Sequence, residues 1–270
     1  MTSFTHVELV YNPHGKGRKM MELQGRTALV TGSSRGIGAA IARLFAEEGA
    51  AVIVHGRDAG TVGAVVSDIE ATGGRALAAT ADLTRYEQIE AMRVSIEQTL
   101  GPIDILVANA GGSTVRPGPL EEITESDWGS SVGTNLTATF LTIKAFLPGM
   151  KQRRYGSVIT MSSSAARRPT AHSPIAYAAA KAGIEVLSKE LAIQAGPDGV
   201  RVNCLAPETI LTERNQLQIP QATQEQLRLA HPVQRLGTPD DVAHAALFLA
   251  SGHSSWISGI TLDIAGGTVL

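Results

Sequence analysis

Cysteine is nearly absent from this sequence, since its 270 residues include only Cys204. One cysteine excludes a disulfide within the chain and indicates a reducing compartment, so we expect a cytoplasmic protein. Cys204 lies in the apolar stretch VRVNCLA, with no histidine or charge immediately beside it. This setting favours a small buried core residue over a reactive thiol.

Long apolar runs and a strong charge of either sign are also missing. No run approaches the roughly 20 residues that span a bilayer, and the N-terminal segment lacks the apolar centre of a signal peptide. The formal net charge of −2 gives no attraction to nucleic acid or to an anionic membrane. Residues 1–20 are polar, and we expect a poorly ordered tail without chemistry, with Met20 or Met21 as a natural start.

Aromatic residues make up 4% of the chain, and none lies in residues 208–235, so a ring-stacking pocket is not indicated there. That segment is polar and rich in glutamine. It predicts a loop with short helices that acts as a lid over a site, and we name it the substrate loop. No metal site is predicted.

What the chain does have is a regular alternation of short apolar strands and helix-period segments. Strands are predicted at 27–31, 51–54, 76–83, 103–111, 156–163, 199–207 and 259–267. Long helices are expected at 124–147, where TESD forms a capping box, and at 173–195. The alternation predicts one doubly wound α/β (Rossmann) domain over 21–270, with a seven-stranded parallel sheet and helices on both faces.

The first strand and the first helix are joined by TGSSRGIG, residues 31–38, which we name the glycine turn. Gly32 suits a tight turn, Gly36 lets backbone approach a pyrophosphate, and Gly38 lets helix and sheet pack closely. Phosphates would then lie at the helix N-terminus. The spacing G-x-x-x-G-x-G also fits an ordinary strand–helix turn, but its place after the first strand favours a dinucleotide site.

Three motifs, in this order, resemble the short-chain dehydrogenase/reductase (SDR) family: the glycine turn, the NAG of 109–111, and Tyr177-x-x-x-Lys181. The resemblance covers about 24–267 and is nearest to 3-oxoacyl-[acyl-carrier-protein] reductases and reductases similar to them. It implies an NAD(P)-dependent oxidoreductase that reduces a ketone to a secondary alcohol. The family usually has two asparagines at NAG, whereas Ala108 comes first here.

Tyr177 and Lys181 lie one helical turn apart, and their ordinary pKa values near 10 and 10.4 suit neither to proton transfer at neutral pH. An ammonium and a nicotinamide ring nearby both favour the phenolate, so we expect Tyr177 to exchange a proton with the substrate oxygen. The resemblance implies that Lys181 also binds the nicotinamide ribose. The alternative is a surface pair without chemistry.

The resemblance also assigns a carbonyl-binding serine and a relay asparagine. Ser163 is the expected donor to the substrate carbonyl, Ser164 is the alternative, and Ser162 is expected to face away. Asn135 matches a helix asparagine that anchors a water leading to the lysine, although a lone asparagine would more often be a helix-surface residue.

The implied cofactor site follows the carboxyl ends of the strands. It comprises Gly32, Ser34, Arg35, Gly36, Ile37, Gly38, Arg57, Asp82, Leu83, Asn109, Ala110, Gly111, Tyr177, Lys181, Pro207, Ile210 and Thr212. His55 is assigned to the position where NAD-preferring members have an acid. With Arg35 and Arg57 nearby, this favours NADP(H) over NAD(H), while Asp58 argues for NAD(H).

Several alternatives concern the substrate and partners. Lys151, Arg153 and Arg154 offer half of a docking patch for an acidic acyl-carrier protein, but Ile193 stands where a second arginine is common. A secondary alcohol oxidised with NAD is the alternative reaction, and a non-catalytic cofactor-binding scaffold is the alternative class. Family members mostly form tetramers through the two long helices, so a homotetramer is expected.

Two further residues could add chemistry to the site. Glu208 replaces the glycine that usually follows Pro207, which puts a charge near the substrate mouth. His172 lies between Ser163 and Tyr177, where a solvated loop histidine is the simpler interpretation. A dehydratase or epimerase would need such a second acid or base.

Overall fold

The computed structural model describes residues 21–113, 115–169 and 174–269. The expected tail, 1–20, and His172 lie outside the described residues. No described helix is long and apolar enough to cross a membrane.

Seven strands form one sheet in the order β3-β2-β1-β4-β5-β6-β7, and each neighbouring pair is parallel. They are β1 (Thr27–Val30), β2 (Ala51–Gly56), β3 (Arg75–Thr80), β4 (Ile105–Ala108), β5 (Gly156–Met161), β6 (Val200–Pro207) and β7 (Thr261–Ile264). The predicted doubly wound α/β sheet is confirmed. The strand order reverses between β1 and β4, where a crevice opens at the carboxyl ends of the strands.

The helices flank both faces of the sheet. They are α1 (Gly36–Glu47), α2 (Ala59–Ala71), α3 (Tyr86–Leu100), α4 (Glu125–Val132), α5 (Ala138–Arg153), the short α6 (Ser164–Arg167), α7 (Ile175–Ala195), α8 (Glu213–Gln218), α9 (Gln221–Ala230) and α10 (Pro239–Ala250). Two of them, α8 and α9, lie in the substrate loop, as expected of a loop with short helices.

Two apolar cores cover the two faces of the sheet because successive strand residues point in opposite directions. Val30 packs in one core together with Phe45 of α1 and Val242 of α10. Its neighbour Leu29 packs in the other core with Ile89 of α3. Burial on both faces explains why the strands read as continuous apolar runs rather than as alternating patterns.

The helix predicted at 124–147 differs from the structure in two respects. It is interrupted by a π-helical turn at Gly133–Thr137, and it continues through Pro148 to Arg153. The capping box at its start is present, with the Thr124 side chain accepting from the backbone N–H of Asp127. The helix ends where Arg154 adopts a left-handed conformation with φ 56°.

Candidate active site

The glycine turn is built so that side chains would obstruct it. A Cβ added at Gly38 would lie 2.4 Å from the Gly32 carbonyl oxygen and 2.6 Å from the Asn109 amide nitrogen. Gly32 and Gly36 have φ values of 63° and 56°, which glycine adopts without strain. Among the described residues, the N-cap residue of α1, Arg35, makes no capping hydrogen bond with its side chain, which leaves backbone N–H groups of the first turn available to an anion.

The loop after β4 holds the glycine turn from the other side of the crevice. The Asn109 side chain donates to the carbonyl oxygens of Thr31, at 2.9 Å, and Gly32, at 3.1 Å. The backbone N–H of Ala110 donates to the Thr31 hydroxyl at 3.1 Å. These contacts fix the two walls of the crevice relative to each other. Such a cradle fits a dinucleotide pyrophosphate.

His55 does not occupy the position that the sequence interpretation gave it. Strand β2 ends one residue later, at Gly56, and the His55 ring is buried beneath the glycine turn. Its Nδ1 accepts from the Gly32 N–H at 3.2 Å, so Nε2 carries the proton and donates to the Ala81 carbonyl at 3.2 Å. Burial lowers the pKa of His55 to about 4. The residue at the strand end is therefore a glycine, without a carboxylate.

Two arginines flank that strand end. Arg35 and Arg57 are both exposed, and neither guanidinium group makes a hydrogen bond or ion pair with any residue that the structure describes. Asp58, which argued for NAD, instead caps α2 by accepting from the Thr61 N–H at 2.8 Å. The pKa of Asp82 is lowered, first by hydrogen bonds from Thr84 and then by nearby positive charges, including that of Arg57.

Tyr177 and Lys181 share one face of α7, with the Lys181 Nζ 5.6 Å from the centre of the Tyr177 ring. Lys181 is 3% exposed, and its Nζ donates to the Met161 carbonyl at 2.7 Å. Burial lowers the pKa of Lys181 to about 8. The expected lowering of the Tyr177 pKa is absent from the protein alone, because burial raises it more than a hydrogen bond with Ser163 lowers it.

The three serines after β5 have different surroundings, and the carbonyl-binding role that the resemblance implies for Ser163 stays a prediction. Ser163 hydrogen-bonds Tyr177 through its side chain and also caps α6. Ser162 faces away, and its hydroxyl lies 2.8 Å from a Glu185 carboxylate oxygen and 3.1 Å from the Lys181 carbonyl oxygen. Ser164 begins α6 and remains the alternative only on sequence grounds.

Asn135 lies inside the π-helical turn and is fully buried. Its amide donates to the carbonyl oxygens of Ser131, at 2.9 Å, and Gly112, at 3.1 Å, and its side-chain oxygen accepts from the Gly112 N–H at 3.0 Å. The surface alternative is therefore wrong. Asn135 holds the loop after β4 beside Lys181, and its role in anchoring a water stays a prediction.

The exit from β6 completes the crevice. Pro207 ends the strand, Ile210 is buried and forms a bridge with Gly237, and Thr212 caps α8. A Cβ at Gly36 would lie 3.2 Å from the Thr212 methyl, so the substrate loop reaches the glycine turn. The Glu208 carboxylate bonds Thr209 and His231, and both Glu208 and His231 line a cavity beside β7.

One charged cluster behind the site was missed. The Arg167 guanidinium lies 3.1 Å from a Glu185 carboxylate oxygen and 2.7 Å from an Asp263 carboxylate oxygen. It ties the segment after Ser163 to α7 and β7. The three residues are far apart in the sequence, so no local pattern signals their contact.

The remaining predicted cofactor residues lie along the same edge. Ser34 and Ile37 are half-buried in the glycine turn and α1, whereas Leu83 is buried in the core beneath the loop after β3. Gly111 follows Ala110 with φ 149°, and a Cβ there would meet the Asn135 side-chain oxygen at 2.5 Å. The structure thus brings the predicted residues together at one crevice.

Comparisons with known proteins agree with this arrangement. A family model described as enoyl-(acyl carrier protein) reductase matches residues 32–269. The BbsD subunit of (2S)-[(R)-hydroxy(phenyl)methyl]succinyl-CoA dehydrogenase of Thauera aromatica is 38% identical over 250 residues, covering 93% of this chain and 99% of the relative. The 3-oxoacyl-[acyl-carrier-protein] reductase FabG of Vibrio harveyi is 39% identical over 251 residues, with coverages of 92% and 98%.

A solved structure shows the same fold with ligands bound. The structure of 7α-hydroxysteroid dehydrogenase complexed with NADH and 7-oxo glycochenodeoxycholic acid is 34% identical to this chain, with a TM-score of 0.87. The match covers 93% of this chain and 96% of that one. With the crevice, the Tyr177–Lys181 pair and these relatives in agreement, the chain belongs to the short-chain dehydrogenase/reductase family and is an oxidoreductase acting on CH–OH groups.

Proposed function

We propose that this protein uses NADP(H) to reduce a ketone, such as a 3-oxoacyl thioester, to a secondary alcohol. The observation that carries the proposal is the position of Tyr177 at the crevice that the glycine turn borders. There its side chain is hydrogen-bonded to Ser163, and its ring lies near the ammonium of the buried Lys181. The reduced nicotinamide supplies a hydride to the carbonyl carbon when it is bound.

Tyr177 donates its phenolic proton to the carbonyl oxygen as that oxygen gains charge. Its raised pKa keeps the phenol protonated before the reaction, which suits a general acid. Ser163 holds the carbonyl oxygen by a hydrogen bond, and the Lys181 ammonium stabilises the phenolate left behind. In the oxidative direction the same groups act in reverse, and Tyr177 accepts the hydroxyl proton.

The choice of NADP(H) is supported by the charges around the end of β2. Gly56 has no carboxylate to repel a ribose 2′-phosphate, and Asp58 is engaged as the cap of α2. Arg35 and Arg57 are exposed guanidiniums suited to a phosphate. NAD(H) is the alternative, and the structure of the related 7α-hydroxysteroid dehydrogenase is a complex with NADH.

An acyl-carrier protein as the binding partner is a weaker proposal than an acyl thioester as the substrate. The Lys151 ammonium already pairs with Asp198 at 3.0 Å, and Arg154 lies 3.9 Å from the same carboxylate. Arg153 donates to the Gly149 and Ile103 carbonyls. These contacts reduce the positive charge offered to an acidic partner, and Ile193 adds an exposed apolar residue on α7.

We propose a homotetramer in which the long helices form an interface between copies of the chain. Trp128 of α4, Phe140 of α5 and Val186 of α7 are 45%, 46% and 60% exposed in the single chain. Large apolar side chains on adjoining helices are typical of an interface between copies. Analytical ultracentrifugation of the purified protein measures this, and a monomer at micromolar concentration would contradict it.

The function is tested by following reduced-cofactor absorbance with NADPH and NADH against 3-oxoacyl thioesters and simple ketones. We expect turnover with NADPH and a loss of at least about 100-fold in Tyr177→Phe. Arg57→Gln should raise the KM for NADPH about tenfold and leave that for NADH unchanged. Cofactor binding without turnover of any ketone or alcohol would instead favour the scaffold.

A further inference from the structure

Glu208 and His231 are 23 residues apart in sequence and meet at the two ends of the substrate loop. The Nε2 of His231 lies 2.7 Å from a Glu208 carboxylate oxygen, and its Nδ1 lies 2.6 Å from the Leu227 carbonyl oxygen. His231 is 3% exposed, so water does not compete for its ring nitrogens. Neither residue belongs to the reacting groups described above.

The hydrogen-bond partners define where protons lie in this pair. A carbonyl oxygen only accepts, so Nδ1 of His231 must carry a proton. Nε2 faces a carboxylate oxygen, and a bond there requires a second proton between them. The Glu208 carboxylate also accepts from the backbone N–H and the hydroxyl of Thr209, three donors in all, which is the pattern of an ionised carboxylate. Glu208 and His231 are therefore joined by a direct hydrogen bond.

The other charges facing this pair are already matched. The pair borders a cavity of about 260 Å³, which is also lined by Arg235, Asp241 and Asp263. Arg235 makes two contacts of 2.6 and 2.7 Å with Asp241 of α10, and Asp263 of β7 pairs with Arg167. On α9, Arg228 pairs with Glu225 at 2.7 Å. Among the charged groups that line this cavity, His231 is thus the partner of Glu208.

The pair closes a segment that touches the cofactor crevice. Between Glu208 and His231 lie α8 and α9, and the first part of the segment packs against the glycine turn through Thr212 and Gly36. Linking the two ends restricts how far this part can move away. A freer segment would withdraw Thr212 from the turn without altering Tyr177 or Lys181.

We propose that Glu208 and His231 are positioning residues whose hydrogen bond holds the substrate loop, residues 208–235, over the glycine turn. The kinetic effect of this latch rests on the proposed function, whereas its effect on loop motion does not.

Amide hydrogen exchange in the free protein tests the latch without any reaction. Glu208→Ala should speed exchange across 208–235 about tenfold or more, because both anchors lose their partner. Glu208→Gln should keep slow exchange, since its amide can donate to a neutral His231 whose Nδ1 retains its proton. Glu225→Ala, which removes an exposed ion pair on α9, is the matched control and should match the wild type.

Kinetics provide the second readout. In Glu208→Ala the KM values for NADPH and ketone should rise about tenfold while kcat changes less than about threefold. In Glu208→Gln, whose amide keeps a hydrogen bond to His231, both KM values should stay within about twofold of the wild type.

The latch is overturned if exchange in 208–235 is the same in Glu208→Ala and Glu225→Ala. It is also overturned if Glu208→Gln exchanges as fast as Glu208→Ala across 208–235. A wild type that reduces no ketone would refute the proposed function alone, because the exchange result still decides the latch.

Discussion

At the scale of single residues, a buried lysine sets the pH range of the chemistry. Burial lowers the pKa of Lys181 to about 8 and raises that of Tyr177. As pH rises, Lys181 therefore loses its proton before Tyr177 does. The ammonium that stabilises the developing phenolate is present below about pH 8 and is lost above it.

This order predicts one alkaline limb in the free enzyme. The kcat/KM for ketone reduction should fall about tenfold per pH unit above pH 8. Lys181→Met should lower kcat/KM by roughly 100-fold and remove that limb. Lys144→Met is the control, because the Lys144 ammonium lies 4.8 Å from the Tyr86 ring centre on the surface. The same limb in Lys181→Met would rule out this assignment.

Residues carrying a local pattern were predictable, and residues defined by distant contacts were not. Tyr177 and Lys181 are related by one helical turn, so their meeting follows from helix geometry alone. Glu208 and His231 meet only because two chain segments return to one edge of the sheet. His55 was misplaced by one residue because the end of a buried apolar strand has no marker in its own sequence.

At the scale of elements, the strands were well predicted and the interrupted helix was not. Buried apolar runs identify the five central strands β1, β2, β4, β5 and β6, because both faces of a parallel sheet are covered there. The edge strands β3 and β7 are only partly buried. The π-helical turn at Gly133–Thr137 has no such periodic signal. In this turn the Asn135 side chain hydrogen-bonds the carbonyl oxygens of Gly112 and Ser131. The contact with Gly112 joins distant parts of the sequence, so it forms only in the folded chain.

The glycine turn and α1 give a prediction at this scale. In Gly38→Ala the new Cβ would overlap the Gly32 carbonyl and the Asn109 amide, forcing the turn away from α1. We expect cofactor affinity to fall at least about tenfold, with about 1–3 kcal/mol lost in unfolding free energy. Gly63→Ala in α2 has no atom within 4 Å of its new Cβ and should gain about 0.5–1 kcal/mol.

Fluorescence titration with NADPH and urea unfolding measure both glycine variants. Equal cofactor affinity in Gly38→Ala and Gly63→Ala would show that the turn tolerates a side chain. In that case the close contacts at Gly38 would not be what shapes the phosphate site.

At the scale of the whole molecule, the order of the strands follows from chirality rather than from sequence. From β1 the chain crosses to β2 and then to β3 on one side of the sheet. It then returns to the other side of β1, where β4 to β7 follow in order. Crossovers between parallel strands are right-handed as a rule. The crevice forms where the direction changes, between β1 and β4. For this reason, motifs far apart in the chain, such as the glycine turn and the NAG segment, lie against each other.

The stability of the molecule in acid should depend on His55 beneath that crevice. Its pKa falls from 6.5 to about 4 in the folded chain, so the unfolded chain binds more protons between these values. The unfolding free energy should therefore decrease as pH falls through this window, by about 3 kcal/mol at its lower end. Protonation also stops Nδ1 from accepting the Gly32 N–H, which loosens the glycine turn.

Urea unfolding between pH 7 and pH 4, at one protein concentration, measures this slope. His55→Gln can keep both hydrogen bonds without titrating, so its unfolding free energy should fall less steeply as the pH decreases. The difference in slope from the wild type should correspond to the uptake of about one proton on unfolding. His244→Gln is the control, because His244 is exposed on α10. The assignment fails if His55→Gln has the slope of the wild type, since acid unfolding would then be driven by other groups.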